Sequence, residues 1–181
     1  MLNKTRQIDS GKKKDDELFA FFSEDCLELI FFETMLKLDF SHFTPAIYEC
    51  FETFFLHINE EYGYIVTGNS YFGSSTKSYT AHEFSLIGME ALWEIVVQAR
   101  NPAVHKSASN FLNTLYTRLD KEILAKRLPQ LKAHILETSI AQIKKGRLDL
   151  REGNLEMVSN RISRAIHILA RFIKDFEDSR V

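Results

Sequence analysis

Residues 79–119 read YTAHEFSLIGMEALWEIVVQARNPAVHKSASNFLNTLYTRL. The stretch predicts two packed helices joined by a tight Asn-Pro turn. The first carries Phe84, Leu86, Ile87, Met89, Leu92, Trp93, Ile95, Val96 and Val97. That set covers most of a helix circumference, the mark of a helix surrounded by others. The second carries Val104, Ala108, Phe111, Leu112, Leu115, Tyr116 and Leu119, whose steps of three and four give one apolar stripe. Asn101 can cap the second helix, and Pro102 at its first position forfeits no needed N–H.

A helix pair of this length is the building unit of armadillo and HEAT-type solenoids, so the fold class read here is all-α: stacked antiparallel helix pairs in a superhelix of about six or seven helices. Composition agrees. The chain has 181 residues, 45% hydrophobic and 27% charged, with seven Gly and three Pro. So few breaks suit long helices and argue against an all-β fold. Net charge is −2 but unevenly spread, since 14 of the 23 Lys and Arg lie in residues 118–181 and 16 of the 25 Asp and Glu lie before them. That basic portion could meet an acidic partner or the acidic remainder of the chain.

Residues 1–16 are polar and lack a period, which predicts a disordered tail ahead of a single helical-repeat domain over 17–181. Ten of the 15 Phe then lie before residue 60. We expect a short helix near 16–22, a longer one from Ser23 to Leu38 with Ser23 as cap, and another opened by Thr44-Pro45 and ending near Ile58. Phenylalanines at helical spacing are read as core. Residues 59–80 hold Gly63, Gly68 and Gly73 among Tyr, Phe, Ser and Thr, predicting a long loop with a short hairpin at 64–71. As a partner-binding loop it offers Tyr71 and Phe72 as contact residues.

Past the central pair, 120–127 predicts a short helical segment, and Leu128-Pro129 a fresh start toward residue 145 with Leu131, Ile135, Ile140 and Ile143 on one face. Gly146 leaves that helix's end open. From Gly153-Asn154 to about Asp178 runs the cleanest amphipathic signal, striped by Leu155, Val158, Ile162, Ala165, Leu169, Phe172 and Phe176. Arg161, Arg164, Arg171 and Lys174 fall away from that stripe and form a basic face, a candidate partner-binding surface.

No catalytic constellation is evident. None of the six His forms an HxxxH pair or lies at ligand spacing from a cysteine, so no metal or cofactor is expected. Cys26 is flanked by Glu24, Asp25 and Glu28, which raise a thiol pKa. Cys50 lies in an aromatic helix, where burial acts the same way. Both read as structural, and with no secretory signal ahead of them they suit a reduced cytoplasmic or nuclear compartment. No apolar run reaches the roughly 18 residues a membrane span requires.

The segment YECFETFFLHIN, a loop, and then EFSLIGMEALWEIVVQARNPAVHKSASNFLNTLYTRL resemble part of the large ubiquitin-specific proteases of the fat facets (FAM) class. The matching residues are Cys50, Phe51, Phe54, Phe55, Leu86, Ile87, Gly88, Leu92, Trp93, Leu112, Leu115, Tyr116 and Thr117. RAIHILARFI in the last helix is similar to a later helix of that region. The resemblance spans about 17–175 and implies a piece of the long non-catalytic helical part of a deubiquitinase, a thiol hydrolase acting at the ubiquitin C-terminus. The family's catalytic Gly-Asn-x-Cys and Gly/His-rich boxes have no match here, so no catalytic residue is carried over. The implied role is a helical-repeat interaction module that positions ubiquitinated substrates or regulators, with self-association through uncapped ends as a further expectation. The alternative is a basic-faced binder of nucleic acid or anionic surfaces.

Overall fold

The turn at Asn101-Pro102 forms as its chemistry requires. Asn101 Oδ1 accepts hydrogen bonds from the amides of Ala103 and Val104, at 2.9 and 3.4 Å. In the computed structural model, which describes residues 22–68, 78–149 and 155–178, six α-helices follow in order. They are α1 (Glu24–Leu29), α2 (Pro45–Glu61), α3 (Met89–Gln98), α4 (Pro102–Thr117), α5 (Lys121–Asp149) and α6 (Leu155–Asp178). Two short strands, β1 (Ile65–Gly68) and β2 (Ser78–Ala81), pair antiparallel between α2 and α3. The fold is all-α.

The helix starts come from sequence. Thr44 Oγ1 accepts from the Ile47 amide ahead of Pro45, and Ser23 Oγ accepts from the Cys26 amide. The helix expected over Ser23–Leu38 is broken in kind. It passes from α1 into a π-turn at Ile30–Thr34 and a 3-10 turn at Met35–Lys37. The change of winding accompanies burial of Phe31 beneath α2, where it meets Phe51.

Three other boundaries differ from expectation. The helix α2 runs on to Glu61, because Asn59 is a core residue rather than the start of a loop. The hairpin joins Ile65–Gly68 to Ser78–Ala81, not two strands within 64–71. The central helix begins at Met89, not near Phe84. Residues 82–88 cross the core as an irregular segment ending in Gly88, whose φ of +82° reverses the chain. A Cβ on Gly88 would sit 2.8 Å from Phe31 Cζ, so the close approach of these segments requires glycine twice over.

The two C-terminal segments expected either side of Pro129 merge into α5. A kink at Arg127 (φ −119°, ψ 15°) accommodates the ring and missing N–H of Pro129. On α5 the buried face is Leu131, Ile135, Ser139, Gln142 and Gly146, while Ile140 is exposed. Gly146 does not end the helix. It is where α5 and α6 cross closely, for a Cβ there would stand 3.2 Å from Ile162 Cγ1.

One contiguous core joins all six helices, from Leu27 and Phe31 through Trp93 and Tyr116 to Ala165 and Phe172. Trp93 is fully buried and donates from Nε1 to Tyr116 Oη at 3.1 Å. The short helix expected near 16–22, apart from Phe22, the tail 1–16 and the Gly153-Asn154 start lie outside the described residues. Among the described residues no helix is long and apolar enough to cross a membrane.

Candidate functional site

The basic face expected on the last helix comes apart in three dimensions. Arg161 is buried at 4% exposure and donates to Glu94 Oε2 at 2.8 Å and to Gln142 Oε1. It belongs to the seam where α3, α5 and α6 meet. Its position beside Ala165 and Val158 on the inward side of α6 explains the difference, since a helix packed against several neighbours buries a wider sector than its apolar stripe. Arg164 reaches the C-terminal carbonyls of α3, donating to Ala99 O at 2.7 Å and to Val96 O and Val97 O at 3.3 Å. There it meets the negative end of the helix dipole and satisfies carbonyls that α3 cannot. Arg171 donates to Asn110 Oδ1 on α4 at 2.8 Å and lies 3.9 Å from Asp175. Lys174 is exposed. Tyr71 and Phe72 lie outside the described residues.

Glu94 is the residue sequence reasoning missed. Its carboxylate accepts from Arg161, Gln142, Lys145 and Gln98. Burial pushes its pKa up, but hydrogen bonds from Lys145 and Arg161, with the Arg161 charge and Gln142, outweigh that and hold it down at about 2. The signal available in the sequence was a lone glutamate inside the otherwise apolar run LWEIVV.

A groove of about 750 Å³ opens between α2 and α4. Its α2 wall carries Tyr48, Glu49 and Glu52, and its α4 wall Ser107, Asn110 and Thr114, with Arg118 beyond the end of α4. The Arg118 guanidinium lies 5.3 Å from the Tyr79 ring centroid. Burial, followed by the nearby Glu52 carboxylate, raises the Tyr48 phenol, so it stays protonated. Among the described residues the groove presents carboxylates, hydroxyls and the Arg118 cation beside apolar Leu56, Val104 and Phe111.

Cys50 is not poised for nucleophilic work. Expected to be buried, it is instead exposed on the outer side of α2, whose inward face is taken by Tyr48, Phe51, Phe54 and Phe55. Partial desolvation and then Glu49 still raise its thiol, the opposite of activation. Cys26 and Cys50 are free thiols. His134 packs beside Phe84 and Tyr116, and burial lowers its pKa. His105 donates from Nδ1 to Val96 O at 2.9 Å, and burial lowers its pKa as well. Both histidines serve packing. Among the described residues no three His, Cys, Asp or Glu side chains are grouped to hold a metal ion.

Comparison with known proteins points in one direction. Over 99 residues, 54% of the chain, it is 31% identical to ubiquitin carboxyl-terminal hydrolase 9Y of Mus musculus. Over 90 residues, 49% of the chain, it is 33% identical to ubiquitin carboxyl-terminal hydrolase 9X of the same species. The matches span 4% and 3% of those proteins, so the chain corresponds to a small part of them. No family model matches. The chain is thus related over about half its length to ubiquitin carboxyl-terminal hydrolases.

Proposed function

We propose that this chain is a non-catalytic helical interaction module of a ubiquitin carboxyl-terminal hydrolase, positioning substrates or regulators for a protease domain elsewhere in the protein. The observation that carries the proposal is the partial similarity to two such hydrolases, confined to 4% and 3% of their length. The chemistry of the chain supports the non-catalytic half. The Cys50 thiol is raised, not lowered, and the buried charges of Glu94 and Arg161 hold helices together. Stacked in the armadillo or HEAT manner, helix pairs of this kind present long faces to protein partners in the cytoplasm or nucleus.

The test has two arms. Isotope-labelled ubiquitin is titrated with the chain and followed by NMR. Saturable shifts make the module part of ubiquitin binding, and no shifts assign it to substrates or regulators. In parallel the chain is offered a fluorogenic ubiquitin C-terminal substrate. We expect no turnover; turnover abolished by Cys50→Ala or Cys26→Ala overturns the proposal.

A further inference from the structure

The helices α5 and α6 form an antiparallel hairpin with one flank bound to the rest of the molecule. On α5, Gln142 and Lys145 reach Glu94 of α3. On α6, Arg164 reaches the end of α3, and Arg171 and Asp175 reach Asn110 and Asn113 of α4. At about 100° per residue, Leu136 and Ile140 lie on the flank of α5 opposite Lys145, and Ile166 and Ile173 on the flank of α6 opposite Arg164. Because the helices are antiparallel and both inner flanks meet the α3–α4 layer, both outer flanks face the same way. Leu136, Ile140, Ile166 and Ile173 are all 40% exposed or more, as is Leu155 at the start of α6.

Charge accompanies this apolar stripe. Exposed Lys132 and Arg147 share its flank of α5, and exposed Lys144 and Lys174 border it. None of the four makes an ion pair with a described residue, and among the described side chains past the Arg127 kink the exposed carboxylates beside them, Glu137 and Glu156, offset part of their charge. Isolated exposed aliphatics are ordinary, but a stripe shared by two neighbouring helices and rimmed by cations is the shape of an interaction site.

We propose that the outer face of the α5–α6 hairpin docks an acidic amphipathic helix of a protein partner. The aliphatic stripe takes the partner's apolar face, laid along the seam between the two helices, and Lys132, Arg147, Lys144 and Lys174 receive its flanking carboxylates. The assignment rests on the reading of the chain as an interaction module and names the surface it uses. Charge selects this occupant: a second copy would bring the same four cations against these, whereas an acidic helix neutralises them.

The probe is a fluorescein-labelled synthetic helical peptide with leucines in steps of three and four and glutamates on both flanks, titrated with the full chain and read by anisotropy. A matched peptide carries lysines in place of the glutamates. We expect saturable binding of the acidic peptide only, weakened by salt. Ile166→Asp and the pair Lys132→Glu with Lys174→Glu should each weaken it about tenfold or more. Ile166 is exposed, so far-UV circular dichroism and Trp93 emission of its variant should match the parent. Equal binding of both peptides, indifference to Ile166→Asp, or no saturable binding overturns the proposal. So does a dimer in sedimentation that Ile166→Asp dissociates while the acidic peptide stays unbound, which assigns the face to a second copy. Turnover of the fluorogenic ubiquitin substrate defeats the module reading itself and is measured separately, so the two failures are distinguishable.

Discussion

Glu94 and Arg161 decide how the C-terminal hairpin is held. Each is one of the groups a core tolerates only when paired: Arg161 donates to Glu94 and Gln142, and Glu94 accepts from Arg161, Gln142, Lys145 and Gln98. Replacing Glu94 by Gln removes the carboxylate that Arg161 Nη1 reaches at 2.8 Å inside the helix seam, at a cost of roughly 3 kcal/mol in urea unfolding at pH 7. The pH dependence has a defined sign. The folded-state pKa of Glu94, about 2, lies below its ordinary 4.5. Its contribution is therefore complete above pH 4.5 and lost as the pH falls toward 2. The stability gap between the parent and Glu94→Gln should narrow over that window, and a gap constant from pH 7 to 2 would contradict the pairing. Gly88 makes a second single-residue demand. Gly88→Ala forces a side chain into a φ of +82° and onto Phe31, and should cost about 2 kcal/mol or more by thermal unfolding.

Elements here are joined by polar contacts that the apolar pattern hides. Asn59 is fully buried in α2, where its Nδ2 donates to Phe55 O and to Ile87 O at 2.9 Å, and its Oδ1 accepts from the Ile87 amide at 2.9 Å. One side chain thus supplies the segment before α3 with the pairing a strand would have given. Asn59→Ala should cost about 1–3 kcal/mol, and amide hydrogen exchange at Ile87 should accelerate to match while α6 amides move only with global stability. Unchanged Ile87 protection would show that the segment is held by packing alone. The same distinction marks what could be read from the chain. Helix starts were legible because Ser23, Thr44 and Asn101 act on amides within three residues of themselves. The irregular segment at 82–88 and the β1–β2 register were not, because Asn59–Ile87 and Ala81–Leu119 contacts join residues far apart in sequence. Arg161 leaves the basic face for a related reason. Periodicity set Arg161 off the apolar stripe, but its neighbours on α3 and α5 turned that position inward.

The whole molecule shares one core, and its single tryptophan sits where the parts meet. Trp93 on α3 is bonded to Tyr116 of α4, and Tyr116 in turn packs on Phe172 of α6, with ring centroids 6.1 Å apart. Apolar burial is the main favourable term in folding, and here it is not divisible by helix pair. A chain ending at Asp120 keeps α1 to α4 but strips Phe172, Leu131, Ile135 and Ala165 from that core and removes Arg161 and Arg164 from α3. It takes Arg161 and Lys145 from Glu94 and the Arg164 donor from the last carbonyls of α3. Independent stacking of repeat pairs would let such a fragment fold with reduced length but intact cooperativity. The shared core predicts otherwise. The full chain should unfold in one transition, coincident by Trp93 fluorescence and far-UV circular dichroism. The fragment ending at Asp120 should show solvent-exposed Trp93 emission and no cooperative transition. A fragment that melts cooperatively with a buried tryptophan would establish α1 to α4 as a folding unit of their own and reduce the hairpin to an appended repeat.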